Sequence, residues 1–384
     1  MYVIALKMLF GDRGKYIAMV VGVMFASLIM TQQPSIMVGL LSRTYAFVDN
    51  VSLPDIWVMD PGVQYVEEHK PIRDVDMGRV RGVEGVEWTA PLFKNFLRAK
   101  LPDGATKTID MTGLDDATLI GAPKDMLEGS LNNLRRTDAV LVNKESAEKQ
   151  LRVKNPDGTD RALAVGDVIE INDKRAVVVG YMKTLRNFVL QPQVFTTYTR
   201  ATAFSPPDRR KLTYILVKAK DGVDHKELAK KISAYTGLMA LTSDEFRDFN
   251  LGYWMKNTGI PINFGISVML GFIVGAAIVS QTFFTFVNQN MKHYAALKSM
   301  GVHDHMLTRM VLLQAAAVGF TGYGLGVGLT TIFGLNVLDS VLAFRMPPIL
   351  LLFAAIGVFL MLMITAFFAI RKILRIDPAI VFRG

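Results

Sequence analysis

Four long runs without Asp, Glu, Lys or Arg divide this sequence: residues 16–42, 257–291, 310–338 and 346–370. Each exceeds the roughly 20 helical residues needed to cross a bilayer core of about 30 Å, so four membrane-crossing helices are predicted. One lies near the N-terminus and three are bunched toward the C-terminus, with the polar stretch 43–256 between the first and the second. The pattern in that insert changes from element to element, which reads as α+β. Residues 55–59, DIWVM, predict a strand ending in the turn Asp60-Pro61-Gly62. A short helix and turn follow over 73–86. Residues 95–101 and 106–112 flank Pro102-Asp103-Gly104 as a hairpin, and 168–171 with 176–179 flank Asn172-Asp173-Lys174 as a second. A strand then a helix is predicted over 138–152, a strand over 213–218, and a helix over 224–235 leading to a short strand. The stretch 155–161 reads as a flexible loop. Ser243 is the expected cap of a last helix, with Glu245 in its first turn, running directly into the second span. Outward of a kink expected at Pro34, residues 35–48 read as a continuing helix, so the domain is predicted to hang between two helical stems.

The full reading places a short interfacial helix in 1–15, spans at 16–42, 257–290, 310–338 and 346–370, and the soluble domain at 43–256. Loops at 291–309 and 339–345 and a tail at 371–384 complete it. Charge gives these segments a direction. Residues 1–15, 291–309 and 371–384 hold ten basic and three acidic residues, which is +7 of the chain's formal +9. Cytoplasmic flanks collect Lys and Arg. Both termini and the 291–309 loop are therefore predicted to face the cytoplasm, and the 43–256 domain and the 339–345 turn to face outward. The first run is too long for a signal-peptide core and reads as an uncleaved anchor. Because the excess charge sits on membrane flanks, where it meets anionic lipid, a nucleic-acid partner is not expected. The chain has no Cys, so the 214-residue domain must rest on its own apolar core.

Few residues invite chemistry. The spans hold no ionisable side chain of the kind that ion-driven transporters keep at membrane depth, and no GxxxxGK[ST] loop is present. No nucleophile–base pair stands out, so no catalysis, cofactor or metal is expected on this chain. His293, His303 and His305 read as solvated, with 303 and 305 diverging on a helix. Met19, Met24, Met30 and Met37 read as adaptable packing in the first span. Gln32 and Gln33, roughly 25 Å up that helix at about 1.5 Å per residue, are candidate outer-leaflet substrate contacts. Interhelical hydrogen bonding is the plainer role for them and for Ser280, Gln281 and Thr282. Glu67-Glu68 and Asp115-Asp116 read as solvated turns. Gly271 and Gly275 permit close helix approach, either within one protomer or across a dimer seam. The run Gly322, Gly324, Gly326, Gly328 is expected to pack within a protomer.

The segment 289–314, QNMKHYAALKSMGVHDHMLTRMVLLQ, predicts a short helix with an apolar side formed by Met291, Tyr294, Ala295, Leu297 and Lys298, stopped at Gly301. Such a helix either connects two spans along the membrane surface or docks into a groove on a soluble partner. Its pattern, with Lys292 and then Ala295-Ala296-Leu297-Lys298-Ser299-Met300-Gly301 before a Leu-rich helix, resembles the intracellular loop of MacB/FtsX-like permeases of the type VII ABC superfamily. Ala5-Leu6-Lys7 before the first span, Gly166-Asp167-Val168-Ile169 in the insert, and the tail Arg371–Arg375 with Ile376-Asp377-Pro378-Ala379 match in the same order. The chain is similar to DevC-like members without a fused ATPase domain. It departs from them at Lys292-His293-Tyr294, where an Arg-Glu pair is common. The resemblance implies a non-catalytic permease subunit of an ATP-driven exporter in the bacterial inner membrane, moving a hydrophobic or amphiphilic substrate. It implies a homodimer with two copies of an ATPase that binds ATP and Mg. It further implies a periplasmic adaptor of the membrane-fusion type and an outer-membrane exit duct. Coupling would fall on Lys292, His293, Tyr294, Ala295, Leu297, Lys298, Met300 and Gly301. The alternative is an FtsX-like regulator that relays ATPase state to a periplasmic partner without transport.

Overall fold

Asp12 alone separates the first two helices, α1 (Tyr2–Gly11) and α2 (Arg13–Thr44). The computed structural model describes residues 1–207, 211–337 and 340–375. Asp339 and the tail motif Ile376-Asp377-Pro378-Ala379, with Arg383, lie outside the described residues. The chain forms two units, Met1–Leu40 with Thr258–Gly384, and Leu41–Asn257.

The second unit is the α+β domain. It opens on α3 (Ala46–Asn50), β1 (Ile56–Met59) and α4 (Asp74–Arg81), and continues through β2 (Val86–Lys100), β3 (Thr106–Leu114), β4 (Asp125–Glu128) and β5 (Ala139–Asn143). Then come α5 (Lys144–Lys149), β6 (Val153–Lys154), β7 (Asp160–Arg161), β8 (Val168–Ile171), β9 (Lys174–Lys183) and β10 (Gln193–Thr197). The domain closes with α6 (Tyr198–Phe204), β11 (Tyr214–Ala219), α7 (His225–Thr236), β12 (Met239–Thr242) and α8 (Ser243–Asn257). Ten strands form one sheet in the order β12-β1-β11-β2-β3-β10-β5-β9-β4, with β8 pairing both β2 and β9. The long β2 joins its two halves: it pairs β11 over 86–92 and β3 over 93–100.

Both predicted hairpins form. Asn172 and Asp173 have φ of 46° and 64°, the left-handed pair that a two-residue hairpin turn requires, so Lys174 already belongs to β9. The predicted loop at 155–161 is instead a tight hairpin: β6 pairs β7, and the Asp157 carboxylate accepts from Thr159 N and Oγ1. The cap of α8 is Thr242 rather than Ser243. Glu245 N donates to Thr242 Oγ1 and the Glu245 carboxylate accepts from Thr242 N, a reciprocal capping box. Ser243 Oγ instead accepts from the Trp57 indole N–H and donates to Pro54 O. The domain core gathers Phe47, Trp57, Tyr214 and Phe246, ring to ring at 5.6–6.1 Å.

The first unit contains α1, most of α2, α9 (Ile260–Gln289), α10 (Met291–Ser299), α11 (Asp304–Val337) and α12 (Pro348–Leu374). Four of these helices, α2, α9, α11 and α12, are long and apolar enough to cross a membrane. The chain does not pass from α8 into α9 as one helix, because Thr258 and Gly259 interrupt it. Helix α2 continues through Pro34, while Ser35 Oγ and Thr31 Oγ1 donate to carbonyls one turn back, those of Thr31 and Ser27. The interfacial helix α1 does more than lie on a surface. Its Ala5 and Leu9 are fully buried in one cluster with Leu307, Met310 and Val311 of α11, while Val3, Ile4 and Phe10 stay exposed.

Candidate functional site

Helix α10 is held in place by its C-terminus. Gly301 has φ of +88°, Val302 N donates to Leu297 O at 3.1 Å, and Gly301 N donates to Lys298 O at 3.1 Å. These two bonds form a Schellman stop, which a left-handed glycine makes inexpensive. The helix then presents two faces. Tyr294, Ala295 and Leu297 are buried in one apolar cluster with residues of α1, α2, α9, α11 and α12. Lys298 Nζ donates to Leu374 O at the end of α12 at 3.0 Å and pairs with Asp304 at 3.2 Å. Lys292, His293, Met300 and Gly301 are exposed, and Met300, at 71 % exposure, is the prominent apolar side chain on that face.

The predicted coupling residues thus separate into two groups. A soluble partner has access to Lys292, His293, Met300 and Gly301, with His303, His305 and Arg309 beside them. Tyr294, Ala295 and Leu297 are taken by the protein's own packing. The histidine rings at 303 and 305 do not diverge: their centroids lie 5.6 Å apart, because His303 precedes α11 rather than sitting in it. Among the described residues no three His, Cys, Asp or Glu cluster as metal ligands.

One residue of this end was not singled out from the sequence. Gln314, fully buried in α11, accepts a hydrogen bond from Tyr294 Oη at 3.0 Å and donates through Nε2 to the carbonyl of Ala5 at 2.9 Å. Burial pushes the Tyr294 phenol up to about 12, so it stays a neutral donor. A single Gln within the apolar run 310–318 is the only hint the sequence offers.

Four of the six glycines lie against another helix of the same chain. A Cβ on Gly271 would lie 2.5 Å from Ile29, and one on Gly275 would lie 2.4 Å from the Ala26 Cβ, so both let α9 approach α2. Gly322 and Gly326 do the same for α11 against Val23 and Met24 of α2. Gly324 and Gly328 face open space instead, so only alternate members of that run pack inside.

At the opposite end of these helices lies an apolar groove of about 600 Å³. Met30, Pro34 and Met37 of α2, Phe264, Val268 and Phe272 of α9, and Leu350 and Phe353 of α12 are among its walls. Gln32 and Gln33 are half-buried on neighbouring positions of α2 and do not line it. Of the four methionines read as packing in the first span, Met30 and Met37 line this groove, whereas Met19 is fully buried.

In the soluble domain, Glu67 departs from the expected solvated turn. It lies half-buried near an ion pair between Lys94 Nζ and Asp110 Oδ1 at 2.6 Å, both side chains 2 % exposed. Asn187 Nδ2 donates to the second Asp110 oxygen at 2.9 Å, and the Lys94 ammonium sits 4.0 Å from the Phe47 ring centroid. Burial raises Glu67 to about 7 and, with help from Lys94, lowers His69 to about 3.

Two family models match the chain. The MacB-like periplasmic core domain covers residues 16–235, and the FtsX-like permease C-terminal model covers 265–378. No curated protein sequence matches. Among solved structures, the extracellular domain of the noncanonic ABC-type transporter YknZ from Gram-positive bacteria is 13% identical, over 49% of this chain and 98% of that one, with a TM-score of 0.35. The periplasmic region of MacB from Actinobacillus actinomycetemcomitans is 12% identical, over 55% of this chain and 96% of that one, with a TM-score of 0.36. The assignment follows from the two family models, whose order along the sequence is that of the inserted domain followed by the last three spans: the chain belongs to the MacB/FtsX-like family of ABC permeases.

Proposed function

We propose that this chain is the membrane subunit of an ATP-driven exporter in a bacterial inner membrane, with ATP and Mg bound by a separate ATPase. In the working assembly the chain is a homodimer, DevC-like in lacking a fused ATPase, and two ATPase copies serve it. The observation that carries the ATPase contact is α10: one face is bonded to Gln314 of α11 and Leu374 of α12, and the other presents Met300 together with exposed Lys292 and His293. An exposed apolar side chain ringed by polar ones suits a groove on a soluble partner. The substrate is hydrophobic or amphiphilic. The groove of about 600 Å³ supports that class, because its named walls are apolar and belong to membrane-crossing helices. It also favours transport over the purely regulatory role, since a relay needs no such space. ATP-driven movement at α10 is passed to the soluble domain, which works with a periplasmic adaptor of the membrane-fusion type and an outer-membrane exit duct. This reading includes no nucleic-acid partner and no catalysis by this chain.

The test is ATP turnover by the complex that co-purifies with the full chain. Met300→Glu places a charge on the docking face and touches no buried contact. It is expected to cut stimulated turnover at least tenfold while the protein stays in the membrane. Unchanged turnover in Met300→Glu would remove α10 from the ATPase contact.

A further inference from the structure

Three separated parts of the sequence meet at one buried side chain. Gln314 lies about 15 Å along α11 from Asp304, at roughly 1.5 Å per residue, among fully buried Met310, Val311 and Val318. An amide at such a site costs stability unless each end is bonded. Both ends are: the oxygen accepts from Tyr294 of α10 and the nitrogen donates to Ala5 of α1. The Ala5 carbonyl has a second lone pair for this bond beside its place within the helix. Helix α1 in turn meets α2 across Asp12 alone, and Tyr16 Oη donates to Thr321 Oγ1 of α11 at 3.1 Å just beyond that joint.

We propose that Gln314 is the positioning residue through which a displacement of α10 reaches the first span, by holding α10, α11 and α1 as one body. The route is distinct from the covalent one, because α10 is continuous only with α9 and α11. It rests on the reading of α10 as the ATPase contact. Individual hydrogen bonds between membrane helices contribute little stability, so Gln314→Leu, close in size and apolar, is expected to fold and to lose the joint rather than the bundle. Tyr294→Phe removes one bond and keeps the ring.

The absence of native Cys allows a direct measurement. Spin labels go on Lys7→Cys and Ser299→Cys, both exposed positions outside the named coupling residues, in the full chain with its co-purified ATPase in nanodiscs. The distance distribution is read without nucleotide and with ATP plus vanadate, and ATP turnover is read in the same samples. In the parent the distribution is expected to stay single and narrow in both states. In Gln314→Leu it is expected to broaden at least twofold with ATP plus vanadate while turnover stays within about twofold of parent, and Tyr294→Phe is expected to shift it the same way by less. A Gln314→Leu distribution as narrow as the parent's, in a complex whose turnover is stimulated, overturns the joint alone. A parent chain that stimulates no ATPase overturns the reading of α10 and the joint with it.

Discussion

Glu67 holds its proton to about pH 7 in the folded domain, against 4.5 for the free side chain. Between those values folding takes up a proton, so this group's contribution to stability falls as pH rises through the window. His69 acts in the opposite sense. Its folded value of about 3 against 6.5 means that unfolding takes up a proton, so stability is lost as pH falls below 6.5. The two slopes oppose each other between about pH 4.5 and 6.5. Glu67→Gln removes one of them. The variant is expected to lose stability from pH 6.5 to 5 where the parent changes less, and to exceed the parent at pH 8, where the parent must desolvate a carboxylate. Trp57, Trp88 and Trp254, the only tryptophans, all lie in the soluble unit, so their fluorescence during thermal unfolding reports this domain. Parallel profiles for parent and variant would contradict the assignment. The neighbouring ion pair gives a second test. Lys94→Met leaves the Asp110 carboxylate buried beside Asn187 without its cation, a loss of about 3–5 kcal/mol. Urea unfolding followed by the same fluorescence checks it, and the double variant Lys94→Met with Asp110→Leu is expected to recover most of the loss.

Helices α9 and α11 approach α2 through glycines of their own, and the outcome of filling a glycine depends on whether it faces α2. Gly275→Leu drives side-chain atoms into Ala26, whereas Gly324→Leu enters open space. Thermal unfolding of the purified chain is expected to show Gly275→Leu destabilised by about 1–3 kcal/mol or more and Gly324→Leu close to parent. Equal midpoints would contradict the α2–α9 packing. Several elements were legible because the residues that make them act locally. Helix α7 begins where Asp224 accepts from the N–H groups of Lys226 and Glu227 and ends at left-handed Gly237, and both signals are in the sequence. Strand β10 and helix α6 were not read. All five β10 residues are buried, so no alternation marks the strand, and α6 follows it without a break. The two faces of α10 show the harder limit. Its apolar side marked a surface that wants covering, and only the structure shows that the protein's own helices cover it. Gln314 was illegible for the same reason: its partner Ala5 is 309 positions away.

At the scale of the whole molecule, the 1 + 3 arrangement of spans and the large insert were plain from the uncharged runs, and the two family models cover those same parts. In the division of labour proposed above, α10 would offer Met300 to an ATPase, Gln314 would tie α10 to the first span, and the groove beside Met30 would receive an apolar substrate. The most direct test of the central claim is a contact measurement in membranes. Met300→Cys and Asn155→Cys, each the sole thiol in the chain, are treated with a short thiol-reactive photocrosslinker before purification. Position 300 is expected to be joined to an ABC ATPase and position 155, in the β6–β7 hairpin, is not. An ATPase captured at 155, or none at 300 while the ATPase still co-purifies, would contradict it.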